Sequence, residues 1–565
     1  MRRFAMLIVG LALILTGCVG VPVSGPVERH SAAPQQANPG VEIAPVPPAQ
    51  GALPGFIVEG FLHAMATYQA GYSVARQFLT TEASDTWQPE TGVEIYAAGF
   101  PPQASATGVV LAAPLVGTLN AQGVYSTMGA GTQNVHDFGL VRDEDGQWRI
   151  SRPPRGLLIS QSLFSSTWVR ADVCFWDATG NWLVPDPRFV PKGSAGLLAT
   201  ARAVLSGPSA IAHEAYRAPL AAKLEVSAVS LGANGAANVE LTGDVDHLSA
   251  DARRKLAGEL VWSLTTLEGV TGLRVRGNGT LWELGGNGGI VTTSDFGQGA
   301  PEPANTSDQV YLVRDGAIQR APWDTPSAEP QAVGPAVSRV GSLAARLDGQ
   351  VVAAITDGGS KLRSVTVRDG TARVELASKG MTLVRWTRQG EMMVALDRTK
   401  GTRMRSVRDG NETPVHTEAL PLGRIRGFAV APDGVRVALV LEEQGRRTLG
   451  VAAIVRSAAG MRFVGWRELS WSPTTQPALD VGWSGPAELL VLLGATRVAA
   501  RVVSVDSEAA IAIDVGPIDA ATAAQLAVGN AGRAMLRGSD GQTWRFVDAF
   551  TWEPWLSKIQ QVSLP

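Results

Sequence analysis

The chain has 565 residues, 45% of them apolar and 18% charged, with a net charge of −2. That length calls for three or four domains at about 100–200 residues each, and the balance of apolar and charged residues excludes a disordered chain. A pI near 6.4 argues against a nucleic-acid binder, and two cysteines cannot build a disulfide scaffold. Glycine (63) and proline (34) are abundant, which points to turn-rich β structure. Charge is unevenly placed: residues 1–304 carry a net −6 and residues 305–565 a net +4.

The chain opens Met1-Arg2-Arg3, followed by an uncharged run from Phe4 to Leu15 and then Leu15-Thr16-Gly17-Cys18. A basic start and a short apolar run read as a secretory signal peptide over 1–17, too short for a bilayer span of about 20 residues. An aliphatic residue, a small residue and a glycine before Cys18 are similar to a bacterial lipobox. That resemblance implies cleavage after Gly17, an S-diacylglycerol on the Cys18 thiol and N-acylation of the new terminus. Residues 18–51 follow as a lipidated, proline-rich tether. It holds Pro22, Pro26, Pro34, Pro39, Pro45, Pro47 and Pro48, spaced by Ser, Gln, Ala and Asn.

Residues 52–165 read as an α+β domain. Pro54 suits the first turn of a helix, and Phe56, Ile57, Phe61, Leu62 and Met65 recur at helical spacing. A second helix carries Tyr72, Val74, Ala75, Phe78 and Leu79. Strands are expected at 93–96, 109–115 and 124–128, then a hairpin of 138–141 and 148–150 around Asp143-Glu144-Asp145-Gly146. Helices followed by an antiparallel sheet resemble the nuclear-transport-factor-2-like (NTF2-like) cone.

Residues 166–290 form a second α+β unit. A strand over 168–176 precedes a helix over 194–206 that stops at Gly207-Pro208. Strands at 224–231 and 237–241 flank a turn at Ala233-Asn234-Gly235. Ser249 caps a helix whose stripe is Leu256, Leu260, Leu264 and Leu267. Strands at 273–275 and 280–284 complete the unit.

Residues 305–565 are repetitive. Five segments share a short strand, a glycine turn and an alternating apolar strand, with the turn glycines at Gly349, Gly390, Gly434, Gly485 and Gly532. A period of about 40–50 residues predicts a β-propeller of five or six blades, with the strand near 310–313 closing the ring.

Candidate chemistry is sparse. The six histidines include no metal-spaced pair, and Asp244, Asp246 and His247 sit where a turn before a capped helix is expected. Gly285–Gly289 follows a strand without opening a helix, unlike a phosphate-binding loop. The stretch 537–546 is similar to an Asp-box hairpin of sialidase-type propellers, with Ser539 at the aspartate position. Glycosidase chemistry of that kind uses a tyrosine nucleophile, and only Tyr311 and His416 lie in the propeller. Arg398, Lys400, Arg403, Arg405 and Arg408 form the densest basic run and read as a solvated strand face. Cys174 reads as a small, partly buried residue. No catalytic set, metal or cofactor is expected.

The whole order of parts resembles the actinobacterial lipoprotein LpqB family: lipobox, tether, N-terminal α+β domain, GerMN domain, β-propeller. The local match is strongest in "NVELTGDV" (238–245) and "LAGELVWSLTTLEGVTGLRV" (256–275), then Gly279, with Asn278 where that family usually has aspartate. "GFLHAMATYQAGYSVARQFLT" (60–80) is similar to the family's N-terminal helices. The resemblance implies a lipid-anchored protein on the extracytoplasmic face of the cell membrane. It further implies an accessory of the MtrAB two-component system, partnered with the extracellular domain of the sensor kinase and affecting cell-wall homeostasis and division. The competing readings are a wall-polymer binding or assembly lipoprotein and, behind it, a propeller hydrolase.

Overall fold

The computed structural model describes residues 45–565, apart from short stretches at 106–107, 129–130, 210–212, 218–222, 287, 303–306, 458–459, 470–475, 496–497, 508–511, 518–522, 530–531 and 549. The signal segment, Cys18 and the tether as far as residue 44 lie outside the described residues.

In the N-terminal unit, helix Pro54–Ala66 has its proline in the first turn and buries Ile57, Val58, Phe61, Leu62 and Met65. A proline there forfeits no intrahelical hydrogen bond. The sheet beneath runs 103–105, 108–120, 92–96, 157–160, with the last pair parallel. Strand Gly108–Asn120 is long enough to pair with four others, 92–96, 103–105, 125–127 and 133–137. The second helix expected over Tyr72–Leu79 is reduced to one helical turn (Ser73–Arg76) behind a 3-10 turn (Ala70–Tyr72), and a separate short helix (Thr81–Thr86) follows it. Gly71 and Tyr72 both take left-handed φ, +65° and +53°, a conformation that interrupts a right-handed helix. Tyr72 and Phe78 still reach the core that the apolar spacing assigned to them.

The second unit has two parts. Helices Ser194–Ser206 and Ala250–Leu264 pack together and against the strand pair Trp168–Trp176 and Leu183–Pro191. A four-stranded sheet in the order 224–231, 236–243, 272–277, 280–281 completes it, with a parallel pair at its centre. Ser249 caps the second helix by accepting the Ala252 N–H at 3.2 Å. Leu256, Leu260 and Leu264 are fully buried, as their spacing predicts. Strand Leu183–Pro191 carries Pro185, Pro187 and Pro191, which hide its strand character in the sequence. All three have the same parity along a strand that pairs on one side only, so their missing N–H groups fall on the unpaired edge.

The C-terminal unit comprises, among the described residues, six four-stranded antiparallel groups in chain order. Sheet 1 holds 309–314, 317–322, 331–332 and the final strand 559–563. Sheets 2 to 6 run over 342–377, 381–416, 424–468, 478–517 and 523–554. The first strands of sheets 2 to 6 follow one another around a ring, which the strand 559–563 closes between sheets 6 and 2. The five predicted glycine turns each connect the first and second strands of a sheet. Gly349 takes φ +67°, and a Cβ there would lie 2.4 Å from the Ser307 side chain. The outermost strands of sheets 3 and 4 also pair with each other in parallel, Val415 with Met461 and His416 with Arg462, merging two sheets into one of eight strands.

The second unit is mounted on this ring. Val435 and Ala453 of sheet 4 belong to the same buried cluster as Val239, Leu260 and Tyr216. Arg388 donates to the carbonyls of Ala300 and Pro301 at 2.7 and 2.9 Å and lies over the Trp182 ring. Arg462 pairs with Glu214.

Two measurements test this packing. Val562, 1% exposed in the closing strand, should not accept a charge: Val562→Asp is expected to cost about 4 kcal/mol in denaturant unfolding, and a loss under about 1 kcal/mol would show that closure does not hold the ring. Glu259 accepts the Trp176 N–H at 3.3 Å, and burial raises its pKa from 4.5 to about 8 despite that bond and Arg217. Between those values the folded chain keeps a proton that the unfolded chain has released, so this group makes stability fall as pH rises from about 4.5 to about 8. Glu259→Gln should flatten that part of the stability–pH curve; an unchanged slope would contradict the assignment.

Candidate functional site

The residues singled out in the sequence do not converge on one place. Cys18 and the cleavage site after Gly17 lie outside the described residues. Cys174 is 2% exposed, its backbone N–H donates to Ser263 Oγ at 2.8 Å, and burial pushes its thiol pKa well up. That is a packed, unreactive thiol. Asp244 and Asp246 form the turn expected of them: Asp244 accepts the Lys223 N–H at 3.3 Å, and Asp246 accepts from Asn278 Nδ2 at 3.1 Å. Asn278 has φ +48° and so occupies a tight turn that asparagine tolerates well. Among the described residues no three His, Cys, Asp or Glu side chains come together as a metal site.

The Asp-box-like hairpin is a turn between strands 534–538 and 543–548, in which Asp540 accepts the Gln542 N–H at 3.0 Å. Tyr311 is 1% exposed and donates its hydroxyl to the Gly349 carbonyl at 2.6 Å, tying strand 309–314 to the first turn of sheet 2. His416 is exposed beside Glu418 on the outermost strand of sheet 3. The tyrosine that a sialidase-like reading needs as its nucleophile is therefore buried and engaged structurally.

The basic run lies on the surface of the ring, with Lys400, Arg403 and Arg408 exposed, as a solvated strand face requires. Arg398 donates to the Lys379 carbonyl at 2.7 Å, Arg408 to the Gln389 carbonyl, and Arg405 lies 3.9 Å from Glu412. Periodicity gave no sign of the larger network beside it, because its partners are distant in the chain. Asp397 of sheet 3 pairs with Arg424 and Arg426 of sheet 4 at 3.4 and 3.3 Å. Glu442 joins Arg426 at 3.0 Å and Arg447 at 2.8 Å, which holds its pKa below the ordinary carboxylate value. Glu391 of sheet 3 meets Arg456 of sheet 4 at 3.1 Å. The pairs of Asp397 and Glu391 cross-tie sheets 3 and 4, while Glu442 braces neighbouring strands within sheet 4.

Recesses among the described residues include the axis of the ring and a cleft between the first two units. The ring's axis is narrow and lined by Arg385, Trp386, Trp483 and Gln525. Beside it Asp480 is buried, accepting the Leu526 N–H at 3.1 Å and lying 3.9 Å from Arg385, with burial raising its pKa. A more apolar cleft of about 250 Å³ lies between the first two units, lined by Tyr72, Val93, Trp168, Phe189 and Leu198, with Glu90 and Arg202 in its wall. Such a cleft can hold an apolar group. It supplies no nucleophile–base pair.

Comparison with known proteins agrees with this organisation. Family models match residues 47–165 as the lipoprotein LpqB N-terminal domain, 172–281 as the Germane domain of sporulation and spore germination, and 325–556 as the lipoprotein LpqB beta-propeller domain. Lipoprotein LpqB of Cutibacterium acnes is 30% identical over 98% of this chain and 97% of its own. Those of Streptomyces coelicolor and Mycobacterium tuberculosis are 29% and 27% identical, over 86% and 77% of this chain and 85% and 77% of theirs. A multidomain chain of an α+β N-terminal region, a Germane domain and a propeller-family β region, similar to such a relative along nearly its whole length, belongs to the LpqB lipoprotein family.

Proposed function

We propose that the protein is a lipid-anchored extracytoplasmic accessory of the MtrAB two-component system, acting on the extracellular domain of its sensor kinase and thereby on cell-wall homeostasis and division. The observation that carries this reading is the full-length similarity to proteins named lipoprotein LpqB, joined to Leu15-Thr16-Gly17-Cys18 at the lipobox position. Cys18 is the residue that would bear the S-diacylglycerol and N-acyl groups after cleavage behind Gly17. No helix among the described residues is long and apolar enough to cross a membrane, so the acyl chains are the proposed membrane attachment. We read the N-terminal unit as an NTF2-like cone, a reading supported by one helix lying on a sheet wrapped around the long strand 108–120.

The anchor is tested first. Cys18→Ala should abolish acyl-label incorporation and leave processing at Gly17 blocked or aberrant, while Cys174→Ala leaves anchoring unchanged. Labelling of the Cys18 variant at the wild-type level would overturn the assignment.

The partner is tested second. About 30 residues of tether reach roughly 30 Å as a flexible chain, which suits a partner whose folded part stands near the bilayer. The chain freed of its lipid should bind the kinase's extracellular domain in solution, yet signal more weakly in cells, because tethering raises the effective concentration. No binding in solution would refute the partnership. Full signalling without the anchor would refute the role of the tether. Retention of glycan in place of the kinase in membrane pull-downs would favour the wall-polymer reading.

A further inference from the structure

The cleft between the N-terminal and Germane units has two unlike walls. On the Germane side Ala195, Leu198, Ala199 and Arg202 fall at the i, i+3, i+4, i+7 positions of helix Ser194–Ser206, so one helix face lines it. Leu198 and Ala199 are half-buried and Arg202 is exposed. On the N-terminal side Tyr68 and Tyr72 meet edge to face, ring centroids 5.5 Å apart, with Glu90 close to them. Leu119, Leu157 and Phe189, all buried, line its depth.

The tyrosine wall is held by an unusual backbone. Tyr72 takes φ +53° directly after Gly71 at +65°. Glycine enters this region freely, whereas a bulky aromatic residue there is an outlier, and such outliers gather at functional sites. The turn sets Tyr72 at the cleft with a hydroxyl that makes no hydrogen bond among the described residues. Burial, Tyr68 and Glu90 raise its pKa, so it stays a hydroxyl that can donate or accept. Two charged side chains line the cleft, Glu90 on one wall and Arg202 on the other, and neither forms an ion pair among the described residues. The lining is therefore neutral in sum and polarised from wall to wall. Water solvates both ions well but gains nothing from the apolar surface between them. An amphiphile with a single charge would meet one partner and one like charge. An occupant that uses the whole cleft has an apolar body, a cation for Glu90 and an anion for Arg202. The tyrosine rings favour the cation at the same end.

We propose that this cleft binds a small zwitterion with an apolar body, of the class of apolar amino acids and their dipeptides, with its ammonium at Glu90 and the tyrosines, its carboxylate at Arg202 and its side chain against Leu119, Phe189 and Leu198. The volume of about 250 Å³ falls just below the roughly 300–1,000 Å³ of drug-sized sites, which suits a ligand of one or two residues. The walls belong to different units, so occupancy ties the N-terminal unit to the Germane unit.

The test is calorimetric titration of the full chain with phenylalanine, leucyl-leucine, phenethylamine, which lacks the carboxylate, and phenylpropionate, which lacks the ammonium. A zwitterion is expected to bind once per chain, and each singly charged analogue about threefold to fivefold more weakly, the size of one exposed ion pair. Glu90→Gln should weaken the zwitterion by a similar factor without weakening phenylpropionate, and Arg202→Ala should do so without weakening phenethylamine. Ala199→Trp, which fills the cleft from the helix, should abolish binding; if that variant unfolds, the two charge variants, both at exposed positions, still decide. No saturable binding of either zwitterion would overturn the proposal. Analogues that bind as tightly as phenylalanine would overturn the pairing with Glu90 and Arg202. Undiminished binding to a folded Ala199→Trp chain, or to both charge variants, would overturn the site. Tighter binding of leucyl-leucine than of phenylalanine would support the site with a peptide as its ligand, and the reverse order would support it with a free amino acid.

Discussion

Strand 559–563 adds to a sheet begun at 309–314, placing Tyr311 opposite Ser563 and Leu312 opposite Val562. Until these segments meet, the inner strands form an open arc with an unpaired edge at each end, the arrangement that invites pairing with other chains. Their meeting brings together segments about 250 residues apart, a contact that must overcome a large loop-closure entropy before it contributes stability. It is reinforced by Ser563 Oγ, which accepts the Ala345 N–H at 2.9 Å, and by Gln525, which bonds to both the N–H and the carbonyl of Val562. The positions of the other sheets follow from that closure, and so does the floor on which the Germane unit rests.

That floor is mainly sheet 4. The Germane helices and strands bury Val435 and Ala453 as if they were part of their own core, while charged groups at the margin set the orientation: Arg462 with Glu214, and Arg170 at 3.8 Å from Glu488. The apolar contact has no directional preference and the peripheral ions do. Together they turn two adjacent domains into one body, and the sequence's acidic and basic halves meet along this seam in both senses.

Much of this was legible in the sequence, for physical reasons that differ from place to place. Leu256, Leu260 and Leu264 mark one face of a helix because a 3.6-residue repeat has no other economical explanation. The five turn glycines marked the repeat because each sheet needs a tight reversal after its first strand. Strand 183–191 was missed because three prolines argue against a strand unless one knows that one edge is unpaired. The continuous helix expected around Tyr72 fails at Gly71, where apolar spacing persists after the backbone has turned. The cross-sheet ions of Asp397 and Glu391 could not have been read, since pairs 29 or 65 residues apart leave no local pattern.

The edge pairing of Val415 with Met461 has a mechanical consequence. In a ring of separate sheets every seam can open a little, and bending is shared among them. Here one seam is closed by main-chain hydrogen bonds at its rim and riveted by Asp397, Glu391 and their arginines, so sheets 3 and 4 behave as a single plate. Elastic deformation must then concentrate in the other seams, and the plate carries both Arg388 and Arg462, the two side chains that grip the Germane unit. A load applied to that unit from outside would be delivered to the stiffest sector of the ring, and would reach the opposite sheets as a rotation of the plate with little bending within it.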